Sequence, residues 1–488
     1  MAYTILDCYT DEPSGLGVPP SLGTYPRYIY GALRKERPYY LTIDDLRNLR
    51  KFGTKGINKE NEIKTNTRIY NLTRSAEEVS RVLDKTTQLI VVSGINTPGK
   101  YLSAVPGTLS EITELIRNTN CRKILTGPAA LIGSRLEGGK KPEYFDKTVY
   151  DEIEFNYLGI NDYDKITPSA EIVEQIPYPI IAELETGKGC DIGKCSFCTE
   201  PLKSCVAFRE PKDVVAEIKE LGKQGVEHFR FGKQTCFYSY KNGDVKEIEK
   251  LLKTAAALKP KTLHIDNVNP NKVITGNGEK ITKLVVKYCT PGNVAAFGVE
   301  SFDIEVVKRN KLNTSPNVAY KAIQLINKYG AERGANGMPK LLPGVNLIFG
   351  LMNETKQTGV ENFNWLKKIY DDGLMLRRIN IRQVVPFEGT VLYEEAGTKF
   401  IKKNKKRYWS WRKNIRREID YPMLQRLVPK DTIMKDVRME IYDGNNTFGR
   451  QFGTYPLVVG IKKRLELGKY YDIKVVGHML RSVIGEPV

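Results

Sequence analysis

Cys190, Cys195 and Cys198 put three thiols into nine residues of a 488-residue chain. Three thiolates on one short loop can hold three irons of a 4Fe-4S cluster and leave the fourth iron open to a non-protein ligand. An open iron supports chemistry as well as structure. Zinc is the structural alternative, because Cys205 lies seven residues past Cys198 and completes a four-cysteine set on paper. Structural zinc usually takes two separated C-x2-C knuckles, and only Cys195 and Cys198 form one here, so the cluster is the favoured reading.

Eight cysteines in a chain of this length do not suggest a disulfide framework. The start of the chain lacks a basic, then apolar, leader, and no run of about 18 apolar residues follows. The expectation is a cytoplasmic protein with no membrane span. Lys and Arg number 76 against 57 acidic residues, a net charge of +19. That excess suits a polyanionic partner such as RNA. An ion-paired, solubilising surface accounts for it equally well until the charges are located.

Residues 1–165 read as a Rossmann-like α/β domain. Strands are expected at 3–7, 89–94 and 123–128, and Thr108 with Glu111 forms a capping-box pattern that opens a helix carrying Leu109, Ile112, Leu115 and Ile116 on one face. Strand, helix, strand implies a doubly wound sheet. From about 170 to 398 strands and helices alternate, with strands expected at 179–185, 228–231, 262–266, 294–298, 344–350 and 378–384. Six such units make a partial TIM barrel, (β/α)6, whose chemistry belongs at the carboxyl ends of its strands. Those ends carry the cysteine loop, Gly232, Lys233, Gln234, Asn267, Asn269, Glu300, Ser301, Asn353, Glu354 and Pro386.

A cysteine loop after the first of six βα units, with Phe197 just before the third cysteine, resembles the radical S-adenosylmethionine (radical SAM) superfamily. That family usually spaces its ligands C-x3-C-x2-C; this loop is one residue longer, and Gly193 can absorb the insertion through an unusual backbone angle. The resemblance implies a 4Fe-4S cluster on Cys190, Cys195 and Cys198 that cleaves S-adenosylmethionine (SAM) to a 5'-deoxyadenosyl radical. It places Phe197 beside the cluster and Gly232, Lys233 and Gln234 where the methionine amino group is received. Glu300 and Ser301 fall near the ribose, Arg309 beside the methionine carboxylate and Gly350 beside adenine. An electron donor such as ferredoxin or flavodoxin is implied with them.

The Gly/Pro-rich loop at 15–32, with the strands at 89–94 and 124–128, loosely resembles the cobalamin-binding domain that precedes many radical SAM enzymes. The only histidines are His228, His264 and His478, so no cobalt-ligating histidine stands in that region. Cobalamin held without a protein ligand remains an option, and a docking or substrate-shaping domain is preferred. Residues 399–417 hold ten Lys/Arg among nineteen, with four aromatics interleaved, within a basic helical linker expected at 399–435. Cations suit phosphates and aromatics stack on bases; the competing reading has Trp409 and Trp411 packed onto the barrel.

From 436 to 488 short strands at 437–442, 455–460 and 471–476 alternate with Gly-rich turns and resemble a TRAM domain, a small OB-like β-barrel that binds RNA. The three-part layout resembles that of the tRNA methylthiotransferases. Their N-terminal domain supplies three more cysteines, whereas this one has only Cys8 and Cys121, with residues 94–97 and 127–128 where cysteines would stand. A second cluster and sulfur insertion by that route are not expected. The expected function is radical SAM modification of tRNA or another RNA. Its alternatives are a cobalamin-dependent methylase of a small molecule or protein, and a non-enzymatic RNA-binding protein with a structural metal.

Overall fold

Buried apolar runs build the first sheet. In the computed structural model, which describes residues 1–9, 20–57, 70–94, 105–135 and 138–488, the chain divides into two compact units. One comprises Met1–Glu137, Lys141–Leu184 and Ala216–Glu227; the other comprises Gly138–Lys140, Glu185–Val215 and His228–Val488. No helix among the described residues is long and apolar enough to cross a membrane.

In the first unit the strands are β1 (Tyr3–Asp7), β2 (Ser21–Leu22), β3 (Tyr39–Thr42), β4 (Gln88–Val92), β5 (Arg122–Thr126), β6 (Glu152–Ile153) and β7 (Ile181–Glu185), whose last residue opens the second unit. They form a parallel sheet in the order β3-β1-β4-β5-β6, and β2 pairs with β7. Leu89, Ile90, Val91 and Val92 are wholly buried, as a strand covered on both faces requires. The helix Leu109–Ile116 starts where Thr108 predicts, its hydroxyl accepting from the Glu111 N–H at 3.1 Å. Glu111 does not complete the box: its carboxylate binds Arg47 at 2.7 and 2.8 Å, in a buried cluster that includes Asp44. The Gly/Pro-rich loop runs into the helix Thr24–Ala32 as expected. Its residues 15–19, and residues 95–97 where cysteines would have stood, lie outside the described residues.

The second unit adds β8 (Gly187–Lys188), β9 (Ala207–Phe208), β10 (His228–Gly232), β11 (Thr262–Ile265), β12 (Asn267–Val268), β13 (Asn293–Glu300), β14 (Leu341–Phe349) and β15 (Arg378–Gln383). β10 pairs with β11, and β12, β13, β14 and β15 pair in sequence, all parallel. The Asp266 carbonyl, between β11 and β12, accepts from the Ala296 N–H at 3.0 Å and carries the ladder across. The sheet ends at β15, so the barrel is partial. All six strands expected from the sequence are present.

Beyond a basic helix (Lys399–Ile415) lie β16 (Ile433–Asp443), β17 (Asn446–Arg450), β18 (Val458–Ile461), β19 (Tyr470–His478) and β20 (Val483–Pro487). They close into a barrel in the order β16-β17-β18-β20-β19 around Met434, Val437, Met439, Val459, Ile473 and Val475. Sequence patterning finds β16, β18 and β19 as strands. β17 and β20 escape it because β17 ends in Arg450, whose charge is buried against Glu440 at 2.8 Å, and β20 is short and holds a glycine and a proline.

The loop 451–457 between β17 and β18 stops the amino-terminal end of the parallel strands. Phe452 stacks on His228 at 4.3 Å, the Thr454 N–H donates to His264 Nδ1 at 3.1 Å, and Tyr455 donates from its hydroxyl to Asp266 at 2.7 Å. The Arg378 guanidinium lies 3.8 Å over the Tyr455 ring. His228, Thr262 and Arg378 are first residues of their strands, which fixes the end that is closed.

Candidate active site at the carboxyl ends of the strands

The cysteine loop follows β7 at the opposite end of the strands. Gly193 has φ +56°, the left-handed region that glycine enters without a steric cost and the unusual backbone angle expected of it. The Gly193 N–H faces Cys190 Sγ at 3.4 Å, and the Glu200 N–H faces Cys198 Sγ at 3.5 Å. Amide donors of this kind stabilise thiolates.

The loop is clamped at its middle. The Ser196 hydroxyl donates to Asn310 Oδ1 at 2.7 Å and its N–H to the Asn310 carbonyl at 2.9 Å, while its own carbonyl accepts from the Leu392 N–H at 2.8 Å. Asn310, wholly buried, also donates to the carbonyls of Val306 and Met352 and accepts from the Met352 N–H at 3.1 Å. One amide thus joins the cysteine loop to the turn after β14. On the other flank Glu200 accepts from the Gly189 N–H at 3.1 Å, and the Thr235 hydroxyl donates to the Gly189 carbonyl at 2.8 Å.

Burial pushes the Cys195 thiol up to about 12, with Cys198, Glu300 and Cys190 adding to it. It pushes Cys198 up to about 11, against the Glu200 N–H and with Cys190 adding. Among the described residues no three His, Cys, Asp or Glu side chains stand as a ready-made metal site. Cys205, the fourth ligand a zinc site would need, is exposed.

The other expected residues fall into two groups. Phe197 packs with Cys195 against Val306, Leu351, Met352, Val384 and Ile401. Gly232 ends β10, Lys233 has φ +65°, and Gln234 accepts from the Thr186 hydroxyl while its buried Nε2 has no partner. Glu300 ends β13 at a bulge with φ +62°; burial, opposed by Arg382, pushes its carboxyl up to about 8, and Oε2 is buried without a partner. The Ser301 hydroxyl accepts from the Asp303 N–H at 3.1 Å. Gly350 has φ +95°, and its N–H donates to Glu354 Oε2 at 2.6 Å.

Arg309 stands apart: its side chain is 47% exposed and pairs with Glu395. The residue after it, Asn310, is the one that enters the site. Sequence reasoning missed Asn310 and Arg382. An amide beside two cations carries no signal by itself, and Arg382 sits unmarked in β15. Glu354, named only by its place after β14, has its carboxyl pushed by burial up to about 7, with Oε1 unpartnered. Buried polar atoms without partners are rare enough to need a cause. Gln234, Glu300 and Glu354 supply three, at the ends of β10, β13 and β14.

The basic helix Lys399–Ile415 is built onto this same end. A Cβ on Gly350 would lie 2.5 Å from Ile401 Cγ1, so only glycine lets the helix settle there. Asn404 donates to the Glu354 carbonyl at 3.2 Å, and Tyr408 and Trp411 pack on Phe349 with ring centroids at 5.6 and 5.3 Å. The competing reading, with Trp409 and Trp411 packed onto the barrel, holds for Trp411 and not for Trp409. Tyr408 and Trp411 turn inward, Phe400 is partly buried, and Trp409 is 53% exposed.

Residues 184–358 match the Radical SAM superfamily profile. The chain belongs to this superfamily and is an enzyme of it; the superfamily's cofactors are a 4Fe-4S cluster and SAM. It shares its whole length with a group of archaeal proteins. It is 42% identical to an uncharacterized protein of Methanocaldococcus jannaschii, over 99% of this chain and 93% of that one, and 38% identical to an uncharacterized protein of Archaeoglobus fulgidus, over 99% and 89%. Among solved structures it resembles the apo form of the cobalamin-dependent SAM radical enzyme OxsB, with TM-score 0.49 and 14% identity, over 82% of this chain and 56% of that one.

Proposed function

We propose that Cys190, Cys195 and Cys198 hold the one 4Fe-4S cluster of an enzyme that modifies RNA, tRNA being the preferred substrate. The observation that carries the cluster assignment is the clamp of Asn310 on Ser196, which holds the three-cysteine loop at the mouth of the strands. Bound there, the cluster and SAM supply a 5'-deoxyadenosyl radical that removes hydrogen from an unreactive C–H bond.

The chain's own residues bind and orient. Gln234 Nε2 is a donor awaiting an acceptor, and Glu300, whose carboxyl keeps its proton at neutral pH, can both donate to and accept from a sugar hydroxyl. Lys233, Ser301 and Gly350 line the same strand ends. Arg309 would have to leave Glu395 to meet a carboxylate. Phe197 and its apolar neighbours keep water from the cysteine loop. The basic helix at the mouth favours RNA, and the five-stranded barrel, read as TRAM-like, is a second RNA contact. A ferredoxin or flavodoxin would deliver the electron.

The test is anaerobic reconstitution. Full-length protein should bind about four irons and form 5'-deoxyadenosine from SAM under reduction, and Cys198→Ala should abolish both. RNA should bind with a steep salt dependence. Zinc in place of iron would overturn the cluster; no RNA binding at low salt would overturn the substrate alone. Stoichiometric cobalamin uptake would move the reading to a methylase.

A further inference from the structure

The helix Lys399–Ile415 has two unlike faces. Ile401, Asn404, Tyr408 and Ile415 are buried against the parallel strands. Opposite them, Lys402, Lys406, Trp409 and Lys413 follow one another at steps of four, three and four residues, the spacing that keeps side chains on one helical face. No acidic residue occurs between 399 and 417, whereas the neighbouring helix Lys356–Asp371 pairs its lysines, Lys367 with Asp371 and Lys368 with Asp372. Among the described residues Lys402, Lys406 and Lys413 stand in no ion pair.

Trp409 is the chain's one exposed tryptophan, and it is held rather than loose. Tyr408 meets it edge-on at 5.1 Å and the Arg412 guanidinium lies 5.4 Å from its ring centre. From Lys402 to Lys413 the strip spans about 16 Å, the length of a few extended nucleotides.

Resting on the reading that the substrate is RNA, we propose that this face docks an unpaired stretch of RNA at the mouth of the site. One base stacks on Trp409, and the flanking phosphates lie against Lys402, Lys406 and Lys413. Stacking requires a base whose face is free, which single strands and loops offer and duplexes do not. A membrane surface fits poorly, because such helices offer lipid a broad apolar face, and here that face is already buried in the protein. Ile401 on Gly350 and Asn404 on Glu354 bring one end of the strip to the strand ends, so RNA lying along it is delivered to them.

The experiment uses the full chain and a fluorescent 12-nucleotide RNA, single-stranded or as a duplex with its complement. The single strand should bind more tightly. Trp409→Ala should weaken single-strand binding about 5- to 100-fold without shifting the thermal melt, and Trp409→Phe should restore part of it. Lys402→Gln, Lys406→Gln and Lys413→Gln together should flatten the log–log salt slope by about two. Single-strand binding unchanged by Trp409→Ala, or a preference for duplex, overturns the strip while leaving the RNA reading in place. If neither RNA binds, the RNA reading itself falls.

Discussion

The two ends of the parallel strands in the second unit are built oppositely. At the amino-terminal end every ring finds a partner: His228 against Phe452, His264 between the Thr454 N–H and the Pro291 carbonyl, and Tyr455 between Arg378 and Asp266. At the carboxyl end Gln234, Glu300 and Glu354 each keep a buried atom without a partner. Burial holds His264 neutral, lowered to about 4, and holds Glu300 protonated, raised to about 8. Both ends are desolvated, but they differ in degree: among the described residues the amino-terminal end leaves Asn293 Nδ2, at the start of β13, without a partner, against three side chains at the carboxyl end. The first is what a fold does to stabilise itself; the second is what it does to leave places for ligands, at a cost in stability.

The contrast can be broken most severely at Asn310, a carboxyl-end side chain that is fully satisfied. Asn310→Ala removes four side-chain hydrogen bonds and strands buried partners, and should destabilise the chain by about 4 kcal/mol, with loss of iron uptake on reconstitution. Urea titration and iron analysis read the two effects.

The amino-terminal end should be acid-sensitive. A histidine lowered from 6.5 to about 4 leaves stability complete above pH 6.5 and erodes it as pH falls toward 4, by about 3 kcal/mol for His264. His264→Asn, which keeps an acceptor for the Thr454 N–H, should flatten that slope in urea melts between pH 7.5 and 4.5.

At the carboxyl end the sign reverses. Glu300, raised from 4.5 to about 8, leaves stability complete below pH 4.5 and lost as pH climbs through 8. Glu300→Gln should therefore stabilise the cofactor-free chain at pH 9, where the buried carboxylate would otherwise carry its charge, and do little at pH 5. No gain at pH 9 would mean that the carboxyl is not held protonated. The smallest change is Tyr455→Phe, which gives up one phenol–carboxylate bond and should cost about 1 kcal/mol in the thermal melt without touching SAM cleavage.

Much of this was legible in the sequence because it is written in local pattern. Six strands announce themselves as apolar runs ending near glycines or polar residues, and the cysteine loop by its spacing. Gly193 was marked by the loop's extra residue, and its backbone is left-handed. What was hidden depends on residues far apart in the chain. The stopper joins Thr454 to His264 across 190 positions, and the clamp joins Asn310 to Ser196 across 114. Asn310 sits beside Arg309, whose charge drew the attention that burial gives to its neighbour. β17 was concealed by Arg450, a cation that looks like surface until Glu440 is seen beneath it.

The loop 451–457 also bears on how such a chain can be taken apart. Small terminal barrels are commonly treated as exchangeable modules, added or removed without harm to the body they follow. Here a cut near residue 430 would uncover the imidazoles of His228 and His264 and the amino-terminal ends of the strands that the loop covers.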